Sequence, residues 1–412
     1  MRKIELLIPA GSLEVLKVAV DYGADAVYIG GEAFGLRAKA HNFTIEDMKE
    51  AVSYCHEHDV KLYVTANIFA HNDDLEGVKR YFEKLKPIGI DALIISDPAI
   101  FTIAKEVIPE VDIHISTQSN NTNYGTYQFW YRLGATRVVS ARELSLREIR
   151  EIRDHIPEEM EIESFVHGAM CISYSGRCLL SHFLTGRDAN RGACTHPCRW
   201  KYSVVEETRP GEYFPVEEDD RGTYIFNSKD LCMVEHVPEL IEAGVDSFKI
   251  EGRMKTALYV ATVARTYRKA IDDYMDSPET YASNLEWYKE EIGKCTYRQF
   301  TTGFYFGKTD SDSQVYDNND YVKEYTYIGK VESVDPEGRL HFIQRNKFSV
   351  GERIEAMLFD GRNVELEVMG IWNADMEEVE SAPHPKEPLA VQLNQSLPVG
   401  TILRRKAVKG SS

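Results

Sequence analysis

The feature that most constrains the fold of this sequence is a regular alternation of short β-branched runs with helical patterns between Glu5 and Glu251. Such alternation is typical of βα units, whose strands lie parallel in one sheet. The helical patterns carry apolar residues at helical spacing, as in Leu13–Tyr22, Ile45–His56 and Leu146–Ile156. The predicted strands are Glu5–Ile8, Ala26–Ile29, Lys61–Thr65, Ala92–Ile95, Asp112–Ser116, Arg137–Ser140, Glu161–Val166 and Ser247–Glu251.

Four of the predicted strands are entered in the same way, through a glycine and a tight loop. The glycines are Gly23, Gly89, Gly134 and Gly244. Each lies where a helix ends, a position at which left-handed backbone favours glycine. Eight such units with short connections favour a closed (β/α)8 TIM-like barrel over an open doubly wound sheet. A Rossmann fold is the alternative, but no GxGxxG motif follows the first strand.

A chain of 412 residues is too long for a single compact core, so we expect a second domain. From Tyr325 onward, short strands are separated by turn signals such as Asp360-Gly361, which indicates a small all-β barrel domain. We predict a barrel at 1–307 with a cysteine-rich insertion at about 168–230, a linker at 308–324 and a C-terminal domain at 325–407. A loop as long as this insertion is usually functional in a compact barrel.

The location of the protein is predicted from its lack of long apolar segments. No apolar run approaches the roughly 20 residues that cross a bilayer, and Leu6-Leu7-Ile8 is too short for a signal segment. We therefore expect a cytoplasmic protein with no membrane partner, whose seven cysteines are thiols or metal ligands rather than disulfides.

The net charge of −18 argues against a nonspecific polyanion binder. A local basic patch is still possible, formed by Arg177, Arg187, Arg191, Arg199 and Lys201.

Five of the seven cysteines lie close together in the sequence, at Cys171, Cys178, Cys194, Cys198 and Cys232. Thiolates are ligands for zinc and for iron–sulfur clusters, and either site needs four of them. Structural zinc sites favour closely spaced cysteine pairs, and only Cys194 and Cys198 are spaced in that way. The wide spacing of the others favours an iron–sulfur cluster. Zinc is the alternative. A third interpretation, five buried thiols that act as small apolar residues, is disfavoured by their clustering in the sequence.

Polar side chains follow several predicted strands, where barrel enzymes build their active sites. Arg and Lys at these positions suit anionic substrate groups, Arg especially through paired contacts with a carboxylate. For each of them a structural ion pair is the alternative, and His167 could cap a loop instead of acting as a base. We predict that the substrate is bound by Gln118, Arg142, Glu143, Lys249 and Arg253. The predicted catalytic residues are His167, Tyr174 and Glu251.

The stretches around the cysteines resemble one known family. They are Glu163–Ser181, Arg191–Cys194, Ser228–Cys232 and Phe248–Arg253, with further matches at Pro9–Gly11 and Phe300–Gly303. On these residues the sequence resembles the collagenase-like peptidase family U32 over nearly its whole length. The family name implies proteolysis, but its better-understood members are RNA- and quinone-modifying hydroxylases. Those proteins carry a 4Fe–4S cluster on four cysteines.

The resemblance also implies a ligand set and a reaction. The cluster ligands would be Cys171, Cys178, Cys194 and Cys232, with Cys198 as an extra thiol or substitute ligand. In length and domain plan the chain is similar to the tRNA 5-hydroxyuridine hydroxylases, which act on the wobble uridine and depend on prephenate. The implied activity is therefore tRNA hydroxylation, with prephenate as co-substrate and the anticodon loop as partner.

The same resemblance suggests how the substrates would be held. Arg142, Lys249 and Arg253 would bind the carboxylates of prephenate, and Tyr174 or Trp200 would stack on a base. Two other functions stay open at this point. A collagenase-like peptidase would need a nucleophile and a base, for which Cys171 and His167 are the available pair. A non-catalytic, cluster-bearing subunit would leave the chemistry to a partner subunit of the same family.

Overall fold

The computed structural model describes residues 3–32, 34–35, 42–171, 173–200, 203–204, 214–215, 229–307 and 322–407. By their contacts, the residues divide into two compact units. The first comprises residues 1–20, 24–255 and 298–320, and the second comprises residues 21–23, 256–297 and 321–412. Most of the predicted linker, residues 308–321, and much of the predicted insertion lie outside the described residues.

The first unit contains a closed barrel of eight parallel strands, which confirms the predicted TIM-like fold. The strands of this unit are β1 (Glu5–Pro9), β2 (Ala26–Gly30), β3 (Lys61–Ala66), β4 (Ala92–Ile95), β5 (Asp112–Ile115), β6 (Arg137–Val139), β7 (Glu161–Ala169), β8 (Ser203–Val204), β9 (Phe214–Pro215), β10 (Asp230–Cys232), β11 (Ser247–Ile250) and β12 (Phe300–Thr301). In the barrel, β1 to β7 pair in sequence order. Strand β11 closes the ring because it pairs in parallel with both β7 and β1.

Helices connect the barrel strands, and the strands are buried beneath them. The helices are α1 (Leu13–Asp21), α2 (Ile45–Glu57), α3 (Asn72–Leu85), α4 (Pro98–Val107), α5 (Tyr124–Arg132), α6 (Leu146–Asp154), α7 (Leu180–Thr185) and α8 (Val237–Glu242). Strands β2 and β4 are buried along their whole length, as expected for parallel strands covered on both faces. The predicted glycine loops are confirmed, since Gly23, Gly89, Gly134 and Gly244 have positive φ angles of 104°, 82°, 90° and 88°.

Strand β7 runs past its predicted end at Val166 and carries an additional antiparallel strand there. The last residues of β7, His167–Ala169, pair with β10, and β12 pairs in parallel with β10. Within this pairing Cys232 lies opposite His167. The extension therefore brings a cysteine from far along the sequence to the carboxyl end of β7.

The second unit combines three helices with antiparallel strands. The helices are α9 (Ala257–Asp276), α10 (Pro278–Ser283) and α11 (Leu285–Ile292). The strands are β13 (Tyr325–Lys330), β14 (Ser333–Val334), β15 (Leu340–Ile343), β16 (Phe348–Ser349), β17 (Arg353–Met357), β18 (Asn363–Trp372), β19 (Glu378–Val379), β20 (Ser381–Ala382), β21 (Pro388–Leu393) and β22 (Ile402–Lys406). The largest sheet follows the order β13-β22-β17-β18-β21-β15-β14. This arrangement confirms the prediction of an all-β C-terminal domain.

Helices α9 to α11 group with these strands, whereas the sequence predicted a first domain that extends to residue 307. The physical reason is a buried ion cluster that joins helices and strands. Glu291 of α11 pairs with Arg404 of β22 at 2.7 Å and with Arg265 of α9 at 2.5 Å. All three side chains are 3% exposed or less, and buried charges need such partners.

In the part of the chain that the structure describes, we find no helix with both the length and the apolar character needed to cross a lipid bilayer.

Candidate active site at the mouth of the barrel

A pocket lies at the carboxyl ends of the barrel strands, where enzymes with this fold place their active sites. It holds about 510 Å³ of empty space, including the part that opens to solvent. Its walls come from β2 to β7, from β11 and from the residues that follow these strands. The lining residues are Tyr28, Thr65, Asn67, Ile94, Ser116, Thr117, Gln118, Val139, Arg142, Phe165, Lys249, Glu251 and Arg253. The structure thus brings together five predicted site residues, Gln118, Arg142, Lys249, Glu251 and Arg253.

Arg142 follows β6 and is held from two sides. Its Nη1 donates to the carbonyl of Ala169 at 2.8 Å, and its guanidinium carbon lies 4.0 Å from the centre of the Phe165 ring. Glu251 is a more distant partner, with a carboxylate oxygen 3.9 Å from Nη2. The Nε of Arg142 is buried and has no hydrogen-bond partner among the described residues. A buried donor in that state costs about 1–3 kcal/mol, so an acceptor supplied by a ligand would be favourable.

Arg253 reaches the pocket past two glycines. A Cβ atom at Gly11 would overlap with the Arg253 carbonyl, and one at Gly30 would overlap with its guanidinium. The guanidinium donates to Thr65 Oγ1 at 3.2 Å and to Asn42 Oδ1 at 3.3 Å. Since Arg253 is only 6% exposed, its charge is poorly hydrated and favours an anionic ligand.

Lys249 lines the pocket from β11. Its Nζ lies 2.5 Å from a carboxylate oxygen of Glu163, which is fully buried. The same Nζ lies 4.6 Å from the centre of the Tyr28 ring and 5.4 Å from that of Phe165. The ammonium group therefore already has a carboxylate partner. Arg142 and Arg253 are better candidates for holding the carboxylates of a ligand.

A buried ion network below the pocket fixes the position of Glu163. Arg137 contacts Glu163 at 3.2 Å and also pairs with Glu5 and with Glu161. Burial alone would raise the pKa of Glu5, but the Arg137 guanidinium outweighs that effect and lowers it. Glu5 and Arg137 therefore stay ionised in the barrel interior, and their pairing holds the residues beneath the Lys249–Glu163 pair in place.

A neutral polar wall completes the pocket. The Ser116 hydroxyl donates to Oε1 of Gln118, and Asn67 Nδ2 lies 3.3 Å from Ser116 Oγ and 3.4 Å from the same Gln118 oxygen. Sequence reasoning missed Asn67 and Thr65. Both lie at the end of the third strand, so the rule that selected the other strand-end residues could have found them.

His167, a predicted catalytic residue, does not line this pocket. It lies in the extended part of β7, is 1% exposed, and its ring centre is 5.7 Å from that of Phe300. Burial, with a smaller effect from Lys255, lowers the pKa of His167 to about 3. The ring is therefore neutral at physiological pH. Because Cys171 is exposed while His167 is enclosed, the two make a poor nucleophile and base for a peptidase.

Glu143 and Tyr174 also lie outside the residues that line the pocket. Glu143 is partly buried next to Arg142, and burial raises the pKa of its carboxyl group. Tyr174 is 47% exposed, because the loop after β7 holds it at the surface. An exposed ring of this kind is available for stacking rather than for chemistry inside the pocket.

The loop that carries Tyr174 is fastened to the mouth of the barrel. Asn120, which follows β5, donates to the Ser175 carbonyl at 3.2 Å. The guanidinium carbon of Arg177 lies 5.7 Å from the ring centre of Phe69. Cys178 is the next residue, so this loop brings it to the same end of the barrel as the pocket.

The clustered cysteines differ from the other two in exposure. Cys55 and Cys295 are buried, and burial raises the pKa of Cys55 to about 12. The remaining thiols are exposed or partly exposed, namely Cys171, Cys178, Cys194, Cys198 and Cys232. Among the residues with described positions, no three His, Cys, Asp or Glu side chains form a group that could hold a metal ion.

The donor set nevertheless fits the chemistry of an iron–sulfur cluster, because accessible thiols without disulfide bonds are its usual ligands. Cys171 follows the end of β7, and Cys232 lies in β10, which pairs with β7. Cys178 ends the fastened loop. The Sγ of Cys194 accepts a hydrogen bond from the backbone amide of His196 at 3.4 Å.

Comparison with known proteins gives consistent matches. The model of peptidase family U32 matches residues 11–315, and that of the peptidase family U32 C-terminal domain matches residues 323–404. Over 405 residues the chain is 41% identical to tRNA hydroxylation protein P1 of Bacillus subtilis, covering 98% of this chain and 95% of that protein. It is 38% identical to tRNA hydroxylation protein P of Escherichia coli, covering 100% and 98%. With the E. coli 23S rRNA 5-hydroxycytidine synthase the identity is 35%, covering 78% and 48%.

Proposed function

Because the chain belongs to peptidase family U32, we propose that it is an RNA-modifying enzyme, a tRNA hydroxylase that forms 5-hydroxyuridine at the wobble position. Two relatives that match it over nearly their whole length are named for tRNA hydroxylation. The relative named for an rRNA hydroxycytidine is matched over only 48% of its own length. Similarity over the whole chain therefore supports tRNA rather than rRNA as the substrate.

The observation that carries the proposal is the pair of buried guanidinium groups at the barrel mouth. Arg142 has a buried Nε without a partner among the described residues, and Arg253 is only 6% exposed beside Thr65 and Asn42. Two cations in one small pocket suit a co-substrate with two carboxylates. Prephenate has two carboxylates, and we assign it to this pocket.

The other residues of the pocket then have definite tasks. Tyr28 and Phe165 provide apolar walls that pack against the ring of the co-substrate and exclude water. Gln118, together with Ser116, offers hydrogen bonds to its hydroxyl group. Glu251 is the carboxylate near Arg142, and it is placed to act as a general base in the pocket.

The proposed cofactor is a 4Fe–4S cluster held by Cys171, Cys178, Cys194 and Cys232, with Cys198 as a possible substitute ligand. When bound, such a cluster supplies one-electron transfer.

The RNA substrate would be the anticodon loop, whose single-stranded bases can be turned outward and stacked on aromatic side chains. Tyr174 suits this role because its ring is exposed on the loop fastened to the barrel mouth. We therefore propose that Tyr174 stacks on a base of the anticodon loop while the target uridine enters the pocket.

The test is a reaction of anaerobically purified, iron-loaded protein with unmodified tRNA and prephenate. The product is measured as 5-hydroxyuridine by nucleoside mass spectrometry, and the iron and sulfide contents are measured in parallel. We expect Cys178→Ala to abolish both the cluster and the product. Cys295→Ala is the matched control, because that thiol is buried in the second unit, and it should retain both.

Two results would contradict the proposal. One is a Cys178→Ala protein that lacks iron yet forms 5-hydroxyuridine at the wild-type rate. The other is an iron-loaded wild-type protein that modifies no tRNA when prephenate is present.

A further inference from the structure

We propose that Lys249 forms an imine with a 2-oxo acid bound in the barrel-mouth pocket. Of the described residues that line this pocket, Lys249 alone has a primary amine. Its Nζ lies near the rings of Tyr28 and Phe165, which line the same pocket, so the amine is within its walls. Lys249 is only 4% exposed, and a poorly hydrated primary amine beside apolar rings is suited to condensation with a carbonyl group.

Glu163 has the properties of a partner for this reaction. Its carboxylate oxygen is 2.5 Å from Lys249 Nζ, and its second contact, with Arg137 at 3.2 Å, holds it in place. In the reaction Glu163 takes one proton from the ammonium, and the neutral amine adds to the carbonyl carbon. The added nitrogen passes a second proton to the carbonyl oxygen, which gives a neutral carbinolamine. Glu163 then returns its proton to the carbinolamine hydroxyl, which leaves as water. One C=O bond is replaced by a C=N bond, one water is released, and no oxidant or reductant is consumed.

The charge of the buried site is the same before and after the reaction. The protonated imine keeps the single positive charge of the lysine, so the fully buried Glu163 has a counter-ion in both the free and the condensed state. Loss of that counter-ion would leave an uncompensated buried carboxylate, which is strongly unfavourable. Covalent capture of the ligand therefore leaves the ion network of the barrel interior intact.

The neighbouring cations determine which carbonyl compound fits. Arg142 and Lys249 both contact the ring of Phe165, at 4.0 Å and 5.4 Å from its centre. An acid with its carboxylate next to the carbonyl can reach an arginine and the lysine at once, which a simple ketone cannot. The chemistry thus points to a 2-oxo acid. Prephenate has a 2-oxo acid side chain, so the inference deepens the proposed function and rests on it for the identity of the natural ligand.

The test is reductive trapping in the full-length protein with phenylpyruvate, a stable 2-oxo acid, and sodium borohydride. We expect a single adduct, whose mass increase equals that of the acid less one oxygen atom, on the peptide that contains Lys249. Phenyllactate, which has a hydroxyl in place of the ketone, should give no adduct. Lys249→Arg keeps the positive charge beside Glu163 but has no amine for this chemistry, so its adduct should fall to background.

Lys105→Arg is the control, because it removes an exposed lysine outside the pocket and should leave the adduct unchanged. The peptide map of the wild-type protein is decisive by itself, even if Lys249→Arg folds poorly. The inference is overturned if wild-type protein that hydroxylates tRNA gives no adduct, or gives adducts spread equally over surface lysines. A Lys249 adduct in protein that modifies no tRNA would support the inference and count against the proposed function, so the two can fail separately.

Discussion

Arg142 is the residue on which anion binding in the pocket most directly depends. We predict that Arg142→Met raises the KM for prephenate, since it removes the charge and the donor groups of a buried site. Loss of a buried, hydrogen-bonded charge partner costs about 2–5 kcal/mol, which corresponds to roughly a 30-fold or greater change in affinity. The measurement is 5-hydroxyuridine formation at varied prephenate concentration.

Arg147→Met provides the matched control, because Arg147 is an exposed arginine on α6, outside the pocket. It should leave both kinetic constants unchanged. An Arg142→Met enzyme with the wild-type KM would rule out a role for this guanidinium in binding the co-substrate.

At the level of single residues, the sequence predicts the pocket better than it predicts the chemistry. Choosing polar residues that follow the predicted strands selects Arg142 and Arg253, because the residues after parallel strands lie together at one face of a barrel. The same criterion also selects His167, because the sequence does not reveal that β7 extends further and buries this side chain. It also cannot foresee that Lys249 is paired with Glu163, since their contact depends on which strands become neighbours.

Among the secondary-structure elements, the extension of β7 is the one that links the pocket to the cysteines. Gly168 lies within it at φ 107°, and a Cβ there would come within 2.5 Å of the Glu251 carbonyl. We predict that Gly168→Ala shifts this part of β7 and with it Cys171 and the paired strand β10. Iron content per chain and hydroxylation rate should fall together, and both can be measured on the same anaerobic preparation.

Gly186→Ala is a control that separates the effect of backbone strain from the effect of displacing a neighbouring residue. Gly186 also has a positive φ, of 67°, but no atom of the described residues lies within 4 Å of its Cβ position. That substitution should cost about 1–2 kcal/mol of backbone strain without moving a neighbour. If both variants retained full iron content, the β7 extension would not be required for the cluster.

Sequence patterns predict the elements that form locally but not those that depend on contacts between distant residues. The barrel strands were predictable because each is a local β-branched run behind a glycine loop. The end of β7 was not, because His167–Ala169 are held by pairing with β10, more than 60 residues later in the chain. The grouping of α9 to α11 with the C-terminal strands was missed for a similar reason. It depends on ion pairs such as Glu291 with Arg404, which are 113 positions apart.

For the molecule as a whole, the ion cluster of the second unit predicts how stability depends on pH. Burial alone would raise the pKa of Glu291, but Arg404 and Arg265 lower it from 4.5 to about 2. Because the folded-state pKa is below the unfolded one, ionised Glu291 stabilises the folded state above about pH 4.5. This contribution, about 3 kcal/mol, is lost as the pH falls toward 2. The urea midpoint of the full chain should therefore decrease between pH 5 and pH 3.

Glu291→Gln should unfold at lower urea concentration near neutral pH, because it removes the buried carboxylate that Arg265 and Arg404 share and leaves Arg404 with Glu355 alone. Its midpoint should also change less between pH 5 and pH 3 than that of the wild type. Glu286→Gln on the same helix is the control, since Glu286 is 90% exposed and should behave as the wild type does. Equal pH dependence in all three proteins would contradict the assignment.

The net charge of −18 opposes association with RNA, so the proposed binding of tRNA requires local cations. Arg177 is exposed on the loop fastened to the barrel mouth, where a phosphate of the anticodon loop would approach the pocket. Each phosphate neutralised in a single strand adds roughly 0.7 to the magnitude of the salt dependence of log K. We therefore predict that Arg177→Glu weakens binding of an unmodified anticodon stem–loop, most strongly at low salt, and reduces that slope by about 0.7 or more.

Arg132→Glu makes the same change in charge at the far end of α5, which runs back from the barrel mouth toward the opposite face. Fluorescence anisotropy at several salt concentrations should give the wild-type slope for this variant. If both substitutions lowered affinity equally, the effect would reflect the net charge of the whole molecule and not a phosphate contact at the mouth. A reduced slope for Arg177→Glu alone would instead locate the RNA backbone beside the loop that carries Cys178.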